Sequence, residues 1–444
     1  MAPYMNGENT EAEIPPPRNW DPSIIDQHPV TPSGIKVLII GAGFAGLTAA
    51  IECKRKGHDP LVLESFKELK QLGDIISFGG NAGRIFKRWP GVEDKLDPIC
   101  HVSQSLKYFD WQGNFIYEQF WGSEEENFGK RFNGHRGEIH KILYDHAVEQ
   151  GVEIRLGQKV TEYFELEDGA GVISNGEKIV ADVILAADGV RSKARKIVLG
   201  FEDKPKSSGY AVYRAWMDSA ELAKNPLTAD LVTKGDTHTG WLGPDIHFLA
   251  ASIKDGKEFS WVCTHKDEAD VEESWSAQGD HEDACKILEG WTPAVHAIVR
   301  MTPPEKLVDW KLVYRDPLPR WTNGHVTLIG DAAHPHLPTS IQGASQAMED
   351  GATLGVCLQL AGKANVKEAL QAYERIRYNR VLVTQKSGEA TRDKWHKADF
   401  DSLRKNPEAI KLKRDEKILN FDAEVHAYEV YEHTVAELRK EGKI

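Results

Sequence analysis

Gly41, Gly43 and Gly46 stand in the spacing G-x-G-x-x-G, at the join between an apolar strand, IKVLII, and a helical run, LTAAIECKRKG. This placement constrains the chain more than any other feature. It predicts a strand, a turn open to a phosphate, and a helix whose first N–H groups can bind that phosphate. The next apolar run, DPLVLE, completes a β-α-β unit. It ends on Glu64, 23 residues after Gly41. A carboxylate there accepts hydrogen bonds from both ribose hydroxyls of a dinucleotide and repels a ribose 2'-phosphate. The motif leaves NAD and FAD equally open.

Composition removes several alternatives. The 444 residues carry a formal net charge of −13 without a long block of Lys or Arg, which argues against a nucleic-acid partner. Five scattered cysteines with no C-x-x-C spacing indicate neither a disulfide framework nor a zinc site, and they suit the reducing cytoplasm. The longest uncharged apolar stretch, Val37 to Ile51, has 15 residues, short of the roughly 20 that cross a bilayer. Residues 1–34 are polar and rich in proline and lack the order of a signal peptide, so they are expected to form a flexible N-terminal extension.

Further along, SLKYFDWQGNFIYEQ reads as a hairpin, Arg136 to Gln150 as an amphipathic helix, and the breaks at EDGAG and SNGEK as a small antiparallel layer. ADVILAADG returns to a buried strand, so the first nucleotide-binding module contains an insertion. Residues 207–266 are strand-rich, and seven of the twelve tryptophans lie between Trp216 and Trp321, some of them candidates for lining an aromatic pocket. HVTLIGD is another buried strand, followed by a loop with two prolines and a helical pattern from Gln342. Beyond Val366 the segments are charged and helical, with an apolar stripe for packing across domains. No G-x-S-x-G or H-E-x-x-H occurs, and no acid or cysteine near His334 and His336 completes a metal set, so no metal is expected.

The glycine turn with Glu64, the block ADVILAADGVRSKAR and the block HVTLIGDAAHPHLPTSIQGASQAMEDGATLG follow one another in that order. Together they resemble the three sequence blocks of the FAD-dependent aromatic hydroxylases, the para-hydroxybenzoate hydroxylase and salicylate hydroxylase group of flavoprotein monooxygenases, in a fungal form. The resemblance runs from Lys36 to Gly362. It implies an α/β fold: a doubly wound, Rossmann-like FAD-binding domain in two parts, 35–200 with inserted strands and 321–365. An antiparallel β-sheet substrate domain over 201–320 and a helical C-terminal segment over 366–444 complete it. It further implies noncovalent FAD, NADH or NADPH as co-substrate, dioxygen, and a small aromatic substrate of phenol, salicylate or polyketide type. Hydroxylation would pass through a flavin C4a-hydroperoxide.

Position by position, the resemblance adds Arg136, Asp188 and Asp331 to Gly41, Gly43, Gly46 and Glu64 as cofactor-binding residues. Arg136 would contact FAD, Asp188 with Gly189 the pyrophosphate and the nicotinamide nucleotide, and Asp331 the ribitol. Gly343 and Ala344 would lie beside the pyrimidine edge of the isoalloxazine, where N–H groups at a helix start oppose the negative charge of reduced flavin. Two residues are catalytic candidates. Arg214 would hold a phenolate or carboxylate, and Asp74 would donate a proton to an epoxide oxygen in an indole-oxidising, rearranging relative. Each also has a plain structural alternative, such as a helix cap for Asp74 or stacking among Tyr213 and Trp216 for Arg214. Indole epoxidation, a NAD-dependent dehydrogenase using the first motif alone, and a non-catalytic flavin scaffold are the competing readings.

Overall fold

Four short apolar runs form the centre of the nucleotide-binding part because parallel strands covered by helices bury both faces. In the computed structural model, which describes residues 15–16, 18–69, 73–121, 128–203, 206–267 and 277–444, Lys36–Ile40 lies between Val183–Ala186 and Asp59–Leu63. Ile40 stands opposite Ala186 on one side and Leu63 on the other. Val326–Leu328 and Glu153–Arg155 extend this parallel sheet, and Thr322–Asn323 closes one edge antiparallel. The helices Phe44–Arg55 and Gly343–Ala361 pack together. Their approach is so close that a Cβ on Gly351 would lie 2.7 Å from the Ala49 nitrogen.

Val160–Leu166, Gly169–Ser174 and Glu177–Ala181 form the small antiparallel layer separately. The larger sheet has eight strands. In spatial order they are Ala277–Gln278, Val308–Tyr314, Lys206–Asp218, Glu258–Lys266, Ile246–Ile253, His238–Gly243, Ser105–Asp110 and Phe115–Phe120. All neighbours are antiparallel except one pair, in which Thr239 faces Lys107. The hairpin read from SLKYFDWQGNFIYEQ therefore joins the second domain's sheet, although it lies within residues 35–200. Its buried Leu106, Tyr108 and Asp110 alternate along one face, and the strand His238–Gly243 supplies the edge they complete. That edge is far away in sequence, so the hairpin alone gives no hint of it.

Alternation along the central strand Lys206–Asp218 separates two faces. Tyr213, Ala215 and Met217 enter a core with Trp241, Phe248, Trp261 and Trp291 beneath the helices His281–Ile287 and Pro293–Met301. Arg214 and Trp216 project from the opposite face. Trp321 is buried in the core of the nucleotide-binding part, and Trp275 lies outside the described residues. Most of these tryptophans are thus packing residues. The helix Val366–His396, of 31 residues, starts in the core with Ala369, Leu370 and Tyr373. It ends with Trp395 among Leu106, Tyr108 and Leu242 on the large sheet, and so braces the two domains.

The segment expected as a flexible extension over 1–34 is packed where it is described; residues 1–14 and 17 lie outside the described residues. Trp20 donates Nε1–H to the Asn420 carbonyl at 2.7 Å and stands edge-on to Phe421 and His426. Ile24 and Ile25 lie against Val356, Ala427 and Tyr428. Three apolar side chains among the prolines dock the segment together with the His28 ring stacked on Tyr428 and the Arg18–Glu429 ion pair. All five cysteines are free and buried. Among the described residues no helix is long and apolar enough to cross a membrane.

Candidate functional site

In open α/β sheets ligands bind beyond the carboxyl ends of the strands, and here those ends carry the motif residues. Ile40 leads into Gly41, Leu63 into Glu64, Ala186 into Asp188, and Leu328 into Gly330 and Asp331. Gly41 has φ +104°, and a Cβ there would collide with the Ala187 carbonyl. A Cβ on Gly46 would collide with the Gly41 carbonyl, whereas nothing lies within 4 Å of one built on Gly43. The turn is thus closed toward the protein and open where a phosphate approaches the helix at Phe44.

Glu64 tightens this turn. Its Oε2 accepts from the Ala42 N–H at 2.8 Å, and Oε1 accepts from Phe66 N–H and Ser65 Oγ–H at 2.8 and 3.0 Å. With about four acceptor positions on a carboxylate, roughly one is left for a ribose hydroxyl. His140, which the sequence reading passed over, donates from Nε2 to the Ala42 carbonyl at 2.6 Å and stands edge-on to Phe44. Burial holds His140 below the usual histidine range, so it serves there as a neutral donor.

Asp188 accepts at Oδ2 from Tyr163 Oη–H and from the Lys193 N–H, both at 2.9 Å, while its buried Oδ1 has no partner among the described residues. Tyr163 reaches it from the separate antiparallel sheet. Arg195, within the same sequence block, fastens the Asp188 turn to the Asp331 corner. It donates to the carbonyls of Val190, Asp331 and Ala332 at 2.6, 2.8 and 2.7 Å. Burial pushes the Asp331 carboxyl upward against the opposing pull of Arg136, His334 and Arg195.

Gly343 and Ala344 open the helix that runs to Ala361, and Gln342 precedes them without a side-chain cap. Their first-turn N–H groups therefore lack a capping side chain. His334 bonds through Nε2 to Asp350 Oδ2 at 2.7 Å, and His336 lies between the His334 carbonyl and Thr384 Oγ1 at 2.7 and 2.9 Å. Burial pushes His336 down to about 3. Among the described residues no group of three or more His, Cys, Asp or Glu is arranged to hold a metal.

The two catalytic candidates meet. Asp74 Oδ2 is ion-paired with Arg214 Nη1 and stands 3.9 Å from Arg136 Nη1, while the Asp74 carbonyl accepts the Arg136 N–H at 2.9 Å. Asp74 does not cap the nearby helix Gly80–Lys87, which starts without a side-chain cap. Arg214 lies 4.9 Å over the ring of Trp310, one strand away, and not between Tyr213 and Trp216. Burial draws the Arg214 guanidinium downward, Asp74 opposes this, and Arg136 adds to it. Among the described residues, Asp74 Oδ1 and Arg214 Nε are both buried without a partner. The pair therefore presents one unmet acceptor and one unmet donor.

These residues fit a flavin dinucleotide. The open side of Gly43 suits a pyrophosphate, the unpartnered Asp188 Oδ1 suits a hydroxyl or bound water, and the helix start at Gly343 suits an electron-rich ring edge. The sequence profile described as "FAD binding domain" matches residues 133–386, and a second profile of the same description matches 36–80. The chain is 36% identical over 419 residues to the asperlicin C monooxygenase of Petromyces alliaceus, spanning 92% of this chain and 90% of that one. It is 36% identical over 415 residues to the FAD-dependent monooxygenase nanF of Aspergillus nanangensis, spanning 90% and 89%. The crystal structure of CtdE in complex with FAD and its substrate 4 matches at TM-score 0.86 and 34% identity, covering 91% of this chain and all of that one. A salicylate hydroxylase substrate complex, at 22% identity and TM-score 0.75 over 89% of this chain and 98% of that one, shares the fold.

Proposed function

This chain belongs to the FAD binding domain family and is an FAD-dependent monooxygenase, and from that premise we propose its substrate: a neutral, electron-rich aromatic ring bearing an N–H or O–H. NADH or NADPH and dioxygen would be its co-substrates. One observation carries the reading: the ion pair of Asp74 and Arg214 leaves Oδ1 and Nε buried and unsatisfied. Buried polar groups take partners. A ring donor, together with an acceptor on the same molecule, satisfies both. Bound FAD supplies the two-electron redox chemistry and the activation of dioxygen.

The chain's residues then bind and orient. Asp74 accepts the ring N–H or O–H and so enriches the ring in electrons, and Arg214 Nε–H fixes the molecule through its acceptor. Trp310 offers aromatic surface beside the pair. The phenolate or carboxylate expected for Arg214 suits the geometry less well, because the guanidinium already holds a carboxylate. An indole is favoured over a phenol, since Asp74, on taking the indole N–H proton as the epoxide opens, can pass that same proton to the epoxide oxygen. Five free, buried cysteines support a reducing, cytoplasmic location.

The test is oxidation of NADH and NADPH by the purified yellow protein with a panel of indoles and phenols, with products weighed by mass spectrometry. Substrate-stimulated oxidation and an indole product heavier by one oxygen support the reading. Turnover of phenols alone shifts it to the hydroxylase alternative. Nicotinamide oxidation that never yields an oxygenated aromatic sinks both.

A further inference from the structure

Glu349 and Asp350 are consecutive acids on the helix Gly343–Ala361, both 0% exposed, and they face two arginines of the helix Val366–His396, Arg377 and Arg380. Buried ion pairs add little net stability over well-packed apolar residues. Their value here lies in the geometry they impose.

Arg377 is bonded in two directions. Its Nε donates to Asp350 Oδ1 at 2.9 Å, its Nη1 pairs with Glu349 Oε2, and its Nη2 donates to Gln346 Oε1 and the Gln346 carbonyl at 2.7 and 3.1 Å. From Asp350 the bonds continue to the corner that carries Asp331. Oδ2 accepts from the Gly330 N–H at 2.9 Å and from His334 Nε2–H at 2.7 Å. From Glu349 and Gln346 they continue to the helix start. Asn81 Nδ2 donates to Glu349 Oε1 at 2.6 Å and to Gln342 Oε1 at 3.1 Å, and Gln346 Nε2 donates to Gln342 Oε1 at 3.2 Å. Gln342 is the residue before Gly343. Arg380, by contrast, links Glu349 to the carbonyls of Lys417 and Ile418, away from the cofactor residues.

We propose that Arg377 is a positioning residue for the flavin: its guanidinium fixes the spacing between the Gly330–Asp331 corner and the first turn of the Gly343–Ala361 helix. It touches no cofactor atom in this role. Lysine retains the charge but lacks the planar fork that reaches both branches at once. The proposal rests on FAD as the cofactor and is independent of which aromatic is oxygenated.

The experiment compares holoenzyme, Arg377→Lys and Asp350→Asn by far-ultraviolet circular dichroism, FAD dissociation constant from flavin fluorescence, and reduction potential of the bound flavin. Arg377→Lys is expected to keep its secondary structure, to weaken FAD binding by about tenfold or more and to shift the potential. Asp350→Asn, which alters only the corner branch, is expected to shift the potential with a smaller loss of affinity. If Arg377→Lys fails to fold, Asp350→Asn alone decides: a shifted potential supports the proposal and a wild-type one overturns it. A folded Arg377→Lys whose flavin potential is unchanged, with or without weakened binding, reduces the network to packing and overturns the proposal.

Discussion

The ion pair between Asp74 and Arg214 joins the nucleotide-binding part to the centre of the eight-stranded sheet. Both side chains are largely buried, and among the described residues each keeps one unsatisfied atom. Removing one partner leaves the other charge in a dry site, which destabilises a protein by about 3 kcal/mol. Arg214→Ala should therefore lower stability by that order, keep FAD bound and reduce oxygenation by about tenfold to a hundredfold. Asp74→Ala with Arg214→Ala should cost less stability than the two singles added together. Urea unfolding and steady-state kinetics check this, and additive losses would show that the pair is not coupled.

The glycine turn makes a sharper contrast. A Cβ on Gly46 meets the Gly41 carbonyl and lies 3.3 Å from Ile39 Cγ2, whereas one on Gly43 meets nothing within 4 Å. Gly46→Ala should thus lose about 2 kcal/mol or more through overpacking. Gly43→Ala should fold within about 1 kcal/mol of wild type yet bind FAD at least about tenfold more weakly, because its methyl group occupies the phosphate's approach. Thermal melts of the apoprotein and fluorescence titration with FAD separate the two effects. Equal behaviour of the variants would place the phosphate elsewhere.

How far the site was legible in sequence follows from how local each requirement is. Gly41, Gly43, Gly46 and Glu64 lie on one β-α-β unit whose backbone dictates its own residues. Arg214 and Asp74 each stood out singly, but nothing in a chain order that separates them by 140 positions announces that they pair. The hairpin Ser105–Asp110 and Phe115–Phe120 was legible, its neighbour His238–Gly243 was not. Glu349 and Asp350 did leave a trace: two adjacent acids inside the apolar run AMEDGATLGV signal buried charge. Their partners sit in KEALQAYERIRYNR, which reads as a charged helix packing by its apolar stripe, and nothing in that pattern says that two of its arginines are buried against these acids.

Arg195 offers a test of the link between the Asp188 turn and the Asp331 corner. Burial, with Arg315 adding to it, pulls its guanidinium down to about 10, yet it satisfies three carbonyls from three nitrogens. Arg195→Lys cannot match that fork. We expect FAD binding to weaken by about tenfold, with Asp188 and Asp331 both present but no longer held in register. An unchanged dissociation constant would mean that the two blocks keep their spacing without it.

The bracing helix Val366–His396 ends in a contact that makes stability depend on pH. His396 Nε2 and His247 Nδ1 are 2.7 Å apart and buried, and one donor with one acceptor is the only arrangement that bonds them. Burial pushes His396 down to about 4 and holds His247 well below its ordinary range; the charges facing His396 are Asp245, Arg392, Asp393 and Lys266. In the unfolded chain a histidine titrates near pH 6.5. Between pH 6.5 and 4 the unfolded state therefore binds protons that the folded state refuses, and stability falls as pH falls, by about 1.4 kcal/mol per pH unit for each histidine. Above pH 6.5 neither state is protonated and the dependence vanishes. His396→Asn should lose about 1 kcal/mol at pH 7.5 with its hydrogen bond, but flatten the slope between pH 6.5 and 4 by one histidine's share. Urea unfolding across that range reads the slope directly, and a variant as steep as wild type would mean that His396 is protonated within the folded protein.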